Sequence, residues 1–143
     1  MAEISDIELN EVLDGLINEE FSDISIYTGE AVLFTDKLVG GNRIAETFSA
    51  FAREEMEHAR ALMKLASRTG GIRARNIAVG SSLRQCLAMH VKREAVAVTL
   101  YKRLSTILTE PDHKLIIKGI IAQEAEHLRT AKDYLLKIQA SNK

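Results

Sequence analysis

One six-residue pattern occurs twice in the chain: Glu55-Met56-Glu57-His58-Ala59-Arg60 and, 69 residues later, Glu124-Ala125-Glu126-His127-Leu128-Arg129. On an α-helix, residues i and i+3 share a face. Glu55 with His58, and Glu124 with His127, can therefore each present a carboxylate and an imidazole to one point. Oxygen and nitrogen donors together suit a divalent transition metal. Spacing alone is a weak signal: with 4 histidines in 143 residues, about 0.4 Glu-x-x-His pairs are expected by chance. A third pair, Glu110/His113, straddles Pro111 at a helix start and reads as capping and coincidence.

Position separates the other two from this control. A second repeat, Glu20-x6-Tyr27 and Glu94-x6-Tyr101, recurs at a spacing of 74 residues. Glu20, Glu55, Glu94 and Glu124 each fall mid-helix where the helical period calls for an apolar residue. A buried carboxylate without a partner costs several kcal/mol, and four together repel one another. Two divalent cations between them would answer that charge. Each half of the chain offers one helix with a buried Glu and a Tyr two turns on, then one helix with Glu-x-x-His. The expected site is two-fold pseudo-symmetric, with ligands Glu20, Glu55, His58, Glu94, Glu124 and His127. The competing reading is a buried ion-pair network completed by Arg60 and Arg129.

Four helices must position these residues. With one proline and no strand-like alternation, almost the whole chain reads at helical period. Ser5 with Glu8 forms a capping box that opens the first helix, whose stripe runs through Leu13, Glu20, Ile24, Tyr27 and Phe34 to a stop at Gly40-Gly41-Asn42. Gly15 and Gly29 mark places where it could kink. The second helix carries Phe48, Phe51, Glu55, His58 and Leu62 and ends near Ser67. A connector from about Arg68 to Ser81 follows, and Ser81 or Ser82 caps the third helix, with Leu87, His90, Glu94, Tyr101 and Leu104 inward. Pro111 opens the fourth, with Ile117, Ile120, Glu124, His127 and Ala131. Fourteen extended residues reach about 45 Å, more than the ~30 Å of a 20-residue helix. The expected architecture is therefore an all-α four-helix bundle of two antiparallel hairpins joined by a long crossover, a single domain over 1–143; an up-down-up-down bundle is the alternative.

Composition bounds the function. A net charge of −1 with no basic stripe leaves nucleic acid no electrostatic footprint. No apolar run approaches the ~18 residues of a membrane span, and Met1–Asp6 lacks the features of a secretory signal. The single cysteine, Cys86, excludes an internal disulfide and a four-cysteine metal site. It reads as a small buried side chain in a reducing compartment, and the expected location is cytoplasmic.

With these residues in place, the chain resembles the di-iron domain of the rubrerythrins, in the ferritin-like superfamily, from about Asp6 to Gln139. The likeness lies in helix order, in the two Glu/Glu-x-x-His halves and in the Glu-x6-Tyr pairs. It implies that the six residues bind two iron ions, that Glu55 and Glu124 bridge them, and that Tyr27 and Tyr101 steady carboxylates of the opposite half. It also implies an oxidoreductase reacting with hydrogen peroxide or dioxygen. Two departures stand out. The second carboxylate that rubrerythrins usually carry one turn after the third-helix Glu is replaced by Ala97. One cysteine cannot build a rubredoxin module, so electrons would come from a separate donor protein. Ferroxidase or iron-handling activity and a metal-free helical interaction module are the alternatives. Met56 echoes the haem ligand of the bacterioferritins, but methionine is a common gap-filler and haem is not expected.

Among the remaining residues, His90 reads as a histidine standing behind the ligands or one that is simply buried. Glu19, Glu54, Glu57 and Glu126 read as solvated, and Glu30 could line a channel to the metals. Apolar residues off the core stripe, namely Val32, Leu33, Ala61, Met63, Val96 and Leu100, predict a second buried surface and hence a homodimer.

Overall fold

The computed structural model describes residues 2–35, 41–66 and 82–141. They form four helices, α1 (Ala2–Thr35), α2 (Gly41–Leu65), α3 (Leu83–Ile107) and α4 (Pro111–Ser141), with no strand among the described residues. None of the helices is long and apolar enough to cross a membrane. The α3 N-terminus is capped by Ser82, whose Oγ accepts from the Gln85 backbone N–H at 3.1 Å. At its other end Leu108 leaves helical geometry, which frees the chain to begin α4 on Pro111, where a missing N–H costs nothing. The start of α1 differs from expectation. The helix already runs from Ala2, so Ser5 lies inside it, and the Ser5/Glu8 spacing is not a cap. The helix continues unbroken through Gly15 and Gly29.

Helix directions follow from side-chain contacts. Tyr27 meets Glu94 while Tyr101 meets Glu20, so α1 and α3 run antiparallel. His58 meets Glu124 while His127 meets Glu55, so α2 and α4 do as well. Contacts between Tyr27 and Phe51 and between His58 and Glu20 make α1 and α2 antiparallel too. It follows that α2 and α3 are parallel. They stand on a diagonal of the bundle, since α1 packs on α2 and α3, and α4 packs on α3 and α2. The end of α2 and the start of α3 are then at opposite ends of the bundle. This is the hairpin-and-crossover arrangement rather than up-down-up-down. Of the expected stop at Gly40-Gly41-Asn42, Gly41 and Asn42 already belong to α2, while Gly40 and the connector from Arg68 to Ser81 lie outside the described residues.

Two apolar clusters fill the interior, one toward each end. The first gathers Leu13, Leu16, Ile17, Phe21, Leu62, Tyr101, Leu104, Ile117 and Ile120. The second gathers Tyr27, Phe34, Phe48, Phe51, Cys86, Leu87 and Ala131. On α2, α3 and α4 the candidate Glu and His positions fall between the two, and on α1 Glu20 lies at the inner end of the first cluster beside Phe21. The polar groups thus form a belt with hydrocarbon above and below. Of the residues that suggested a second buried surface, Ala61, Met63 and Leu100 pack on the first cluster and Leu33 on the second. Val32 and Val96 are exposed.

Candidate metal centre

The belt brings all six predicted residues together, none more than 2% exposed. Two overlapping groups emerge. Glu20, Glu55, His58 and Glu124 each place one donor atom within 4.8 Å of the others, and Glu55, Glu94, Glu124 and His127 do the same. Glu55 and Glu124 belong to both groups, each from one of the two Glu-x-x-His helices. The two imidazoles point Nδ1 inward. Nδ1 of His58 lies 2.8 Å from Glu124 Oε1, 3.3 Å from Glu55 Oε1 and 3.7 Å from Glu20 Oε2. Nδ1 of His127 lies 3.2 Å from Glu55 Oε1 and 3.8 Å from Glu94 Oε1.

These inward atoms are close without being hydrogen-bonded. Both oxygens of Glu55 and of Glu124, Oε2 of Glu20 and of Glu94, and Nδ1 of His58 and of His127 have no hydrogen-bond partner. Buried polar atoms are normally paired. Eight orphaned donors converging on one volume fit cations, for which lone pairs rather than protons are required. With four carboxylates and two imidazoles, two divalent ions would bring the cluster to neutrality.

The outward atoms, by contrast, are satisfied. Tyr27 donates to Glu94 Oε1 at 2.8 Å and Tyr101 to Glu20 Oε1 at 2.5 Å. The His58 Nε2 faces Gln123 Oε1 at 2.5 Å, and the His127 Nε2 faces Glu54 Oε2 at 2.6 Å. Phe51 stacks on the His127 ring at 3.9 Å. Rotation of the candidate ligand groups is thus restrained from behind, the kind of support that metal sites carry.

Without metal the cluster holds protons instead. Burial, followed by the Glu20 charge, pushes the Glu55 carboxyl well above its usual range, and burial followed by the Glu55 charge does the same to Glu124. Burial opposes protonation of His58, but Glu124 and Glu20 outweigh it and raise the imidazole to about 10. Burial also works on Glu94, yet Glu124, His127 and Tyr27 hold it down to about 2.

Several residues stand elsewhere than the sequence suggests. Arg60 is exposed, and Arg129 is exposed and pairs with Glu126, so the ion-pair alternative loses both of its cations. Glu54, expected to be solvated, is only partly so and carries the hydrogen bond to His127. Glu30, a candidate channel residue in the sequence, is fully buried and pairs with His90, itself fully buried and stacked on Tyr27 at 4.1 Å. His90 thus touches a residue that holds a candidate ligand and belongs to neither donor group. Glu110 and His113 do meet, at 3.2 Å, but on the surface. Asp23, which no motif in the sequence singles out, is buried and accepts from Arg93 Nε at 2.7 Å. The 74-residue repeat places it opposite Ala97, and that correspondence was the available signal.

The Glu30/His90 dyad has Leu104 and Leu16 as its equivalents in the other half, both buried. Replacing both partners of a buried hydrogen bond by hydrocarbon is nearly neutral or stabilising, whereas removing one leaves the other unsatisfied at a cost of about 1–3 kcal/mol. Urea unfolding of the metal-free protein should show Glu30→Leu destabilised and Glu30→Leu/His90→Leu restored to wild type or better. A double variant as unstable as the single one would mean that the dyad holds more than itself together.

Residues 11–135 match the family model Rubrerythrin. The chain belongs to the rubrerythrin family. No curated protein matches it, but solved structures do. A chain from Thermotoga maritima described as ferritin-like and diiron-carboxylate is 22% identical, with 89% of this chain and 93% of that one covered, at a TM-score of 0.74. Another so described, from Bacillus anthracis strain Ames, is 19% identical, with 92% and 97% covered, at 0.77. At these identities the likeness establishes the ferritin-like fold. In this rubrerythrin-family chain, the carboxylate and imidazole cluster is the candidate metal site.

Proposed function

We propose that the chain is a non-haem di-iron protein that reduces hydrogen peroxide or dioxygen with electrons from a separate donor protein. The observation that carries this reading is the convergence of eight unpartnered buried donor atoms in two groups sharing Glu55 and Glu124. Both structural neighbours are described as diiron-carboxylate proteins, which supports iron over other divalent ions. Iron held there would supply two one-electron oxidations, so that two ferrous ions, one peroxide and two protons give two ferric ions and two waters.

The chain's own residues account for the rest. Tyr27 and Tyr101 fix the carboxylates of Glu94 and Glu20, and Glu54 and Gln123 fix the two imidazoles. The apolar clusters on either side keep bulk water from the belt, which strengthens every charge interaction inside it. The single cysteine leaves no rubredoxin-type electron relay within this sequence, which is why the donor is placed on a partner.

Rapid mixing of the ferrous-loaded protein with peroxide, and separately with dioxygen, tests the proposal. Fast oxidation of two irons per chain is expected, with peroxide the faster oxidant. Continued turnover of iron beyond two per chain would identify iron as the substrate and make the protein a ferroxidase. A failure to retain iron at all would leave a helical interaction module.

A further inference from the structure

The two imidazoles are backed unequally. Glu54 and Gln123 occupy equivalent positions in the 69-residue repeat, each one residue ahead of a carboxylate shared by both donor groups. Each reaches across to the ring on the facing helix. The His127 Nε2 meets the Glu54 carboxylate at 2.6 Å, but the His58 Nε2 meets the neutral Gln123 amide at 2.5 Å. The tyrosines correspond, with Tyr27 on Glu94 matching Tyr101 on Glu20, whereas Asp23 with Arg93 and the Glu30/His90 dyad have no counterpart and touch neither imidazole's outer nitrogen.

We infer that Glu54 makes the two metal positions unequal, so that the one formed by Glu55, Glu94, Glu124 and His127 fills first. The inference rests on the metal reading above and adds an order to it. A carboxylate accepting the outer N–H of a ligating imidazole forms a charge-assisted hydrogen bond. It pushes electron density toward the inward nitrogen and typically changes metal affinity 10–100-fold. An amide oxygen accepts the same proton without a full charge. The Glu54 side chain is 35% exposed, so solvent screens part of its charge, and the expected difference is at the low end, about tenfold. Glu54 acts through His127 and is a positioning residue.

Zinc titration of the metal-free protein, followed through the ¹⁵N resonances of its histidine rings, tests the order. In the wild type the His127 ring should respond during the first equivalent and the His58 ring during the second. Glu54→Gln should make the two rings respond together, with the first binding step weakened about tenfold. Gln123→Glu should also bring them together, with the second step tightened instead. The exchange variant Glu54→Gln/Gln123→Glu keeps the total charge and should restore two steps in reversed order, His58 first. A merely structural role for Glu54 would not produce that reversal. Simultaneous response of both rings in the wild type, or an unchanged order in the exchange variant, overturns the inference and leaves the metal site standing. No zinc response in either ring of the wild type overturns the metal reading itself, and the order with it.

Discussion

Two equivalents of ferrous iron, added under argon, are expected to raise the unfolding temperature of the metal-free protein by roughly 15 °C. An ion that binds only the folded state at about 100 times its dissociation constant contributes about 2.7 kcal/mol. Two such ions, at about 3 °C per kcal/mol for a chain of this size, give that figure. The gain is large because the metal-free centre is poor: eight buried donor atoms lack partners, and burial disfavours the charged carboxylates. The arrangement also dictates which variants matter most. Glu55 and Glu124 belong to both donor groups, while Glu20 and Glu94 belong to one each. Glu55→Ala or Glu124→Ala should therefore abolish nearly all of the iron-induced rise, and Glu20→Ala or Glu94→Ala about half of it. Calorimetry with and without iron measures this. A wild-type rise below about 3 °C, or equal losses in all four variants, would contradict the shared-carboxylate geometry.

A second large effect is a reversal of pH dependence on metal loading. In the metal-free protein Glu55 and Glu124 are raised by burial and by neighbouring carboxylates. Asp23 is raised to about 8 by burial and the Glu94 charge, against the pull of Arg93. His58 is raised to about 10 and His127 is also raised, their carboxylate partners outweighing burial. Each of these groups holds its proton more tightly folded than unfolded. Its contribution is therefore complete below its ordinary value and is lost as pH rises through the folded one. Glu94, held at about 2, acts in the opposite sense, its contribution being complete above its ordinary value of 4.5 and lost as pH falls from there through the folded one. The metal-free protein should thus lose stability steadily from about pH 5 to beyond pH 8, by several kcal/mol in all, since each tenfold gain in proton affinity on folding contributes about 1.4 kcal/mol. With metal bound the slope inverts, because protons and cations compete for the same lone pairs. Unfolding temperatures of the two forms between pH 5 and 9 should diverge. A flat metal-free curve would contradict the proton-holding cluster.

Much of this centre was legible in the amino-acid order. Polar residues at apolar positions of a helical stripe mark themselves, and Glu20, Glu55, Glu94 and Glu124 did so with repeats to support them. The connector length also anticipated the parallel placement of α2 and α3. Periodicity reports the face of a residue on its own helix, however, and says nothing about what stands opposite. Glu54 lies off the inward face of α2, yet α4 brings His127 within reach of its carboxylate. Glu30 and His90 are 60 residues apart, and only the register of α1 against α3 joins them. Asp23 was hidden in the same way, since its partner Arg93 sits on the neighbouring helix. Ser5 shows the converse error, a valid local motif that a longer helix simply runs through.

Because α2 and α3 are parallel on a diagonal, every helix in the bundle is flanked only by antiparallel neighbours, and the peptide dipoles of the four largely cancel. Each of the four candidate-ligand carboxylates also lies ten or more residues from either end of its helix, about 15 Å along the axis, whereas the dipole's influence fades within the terminal turn. Anion-binding proteins often draw on the partial positive charge of a helix N-terminus. This backbone offers its acidic belt no such help. The field at the centre is set by side chains and by whatever they bind, so substitutions there should tune it without interference from the scaffold.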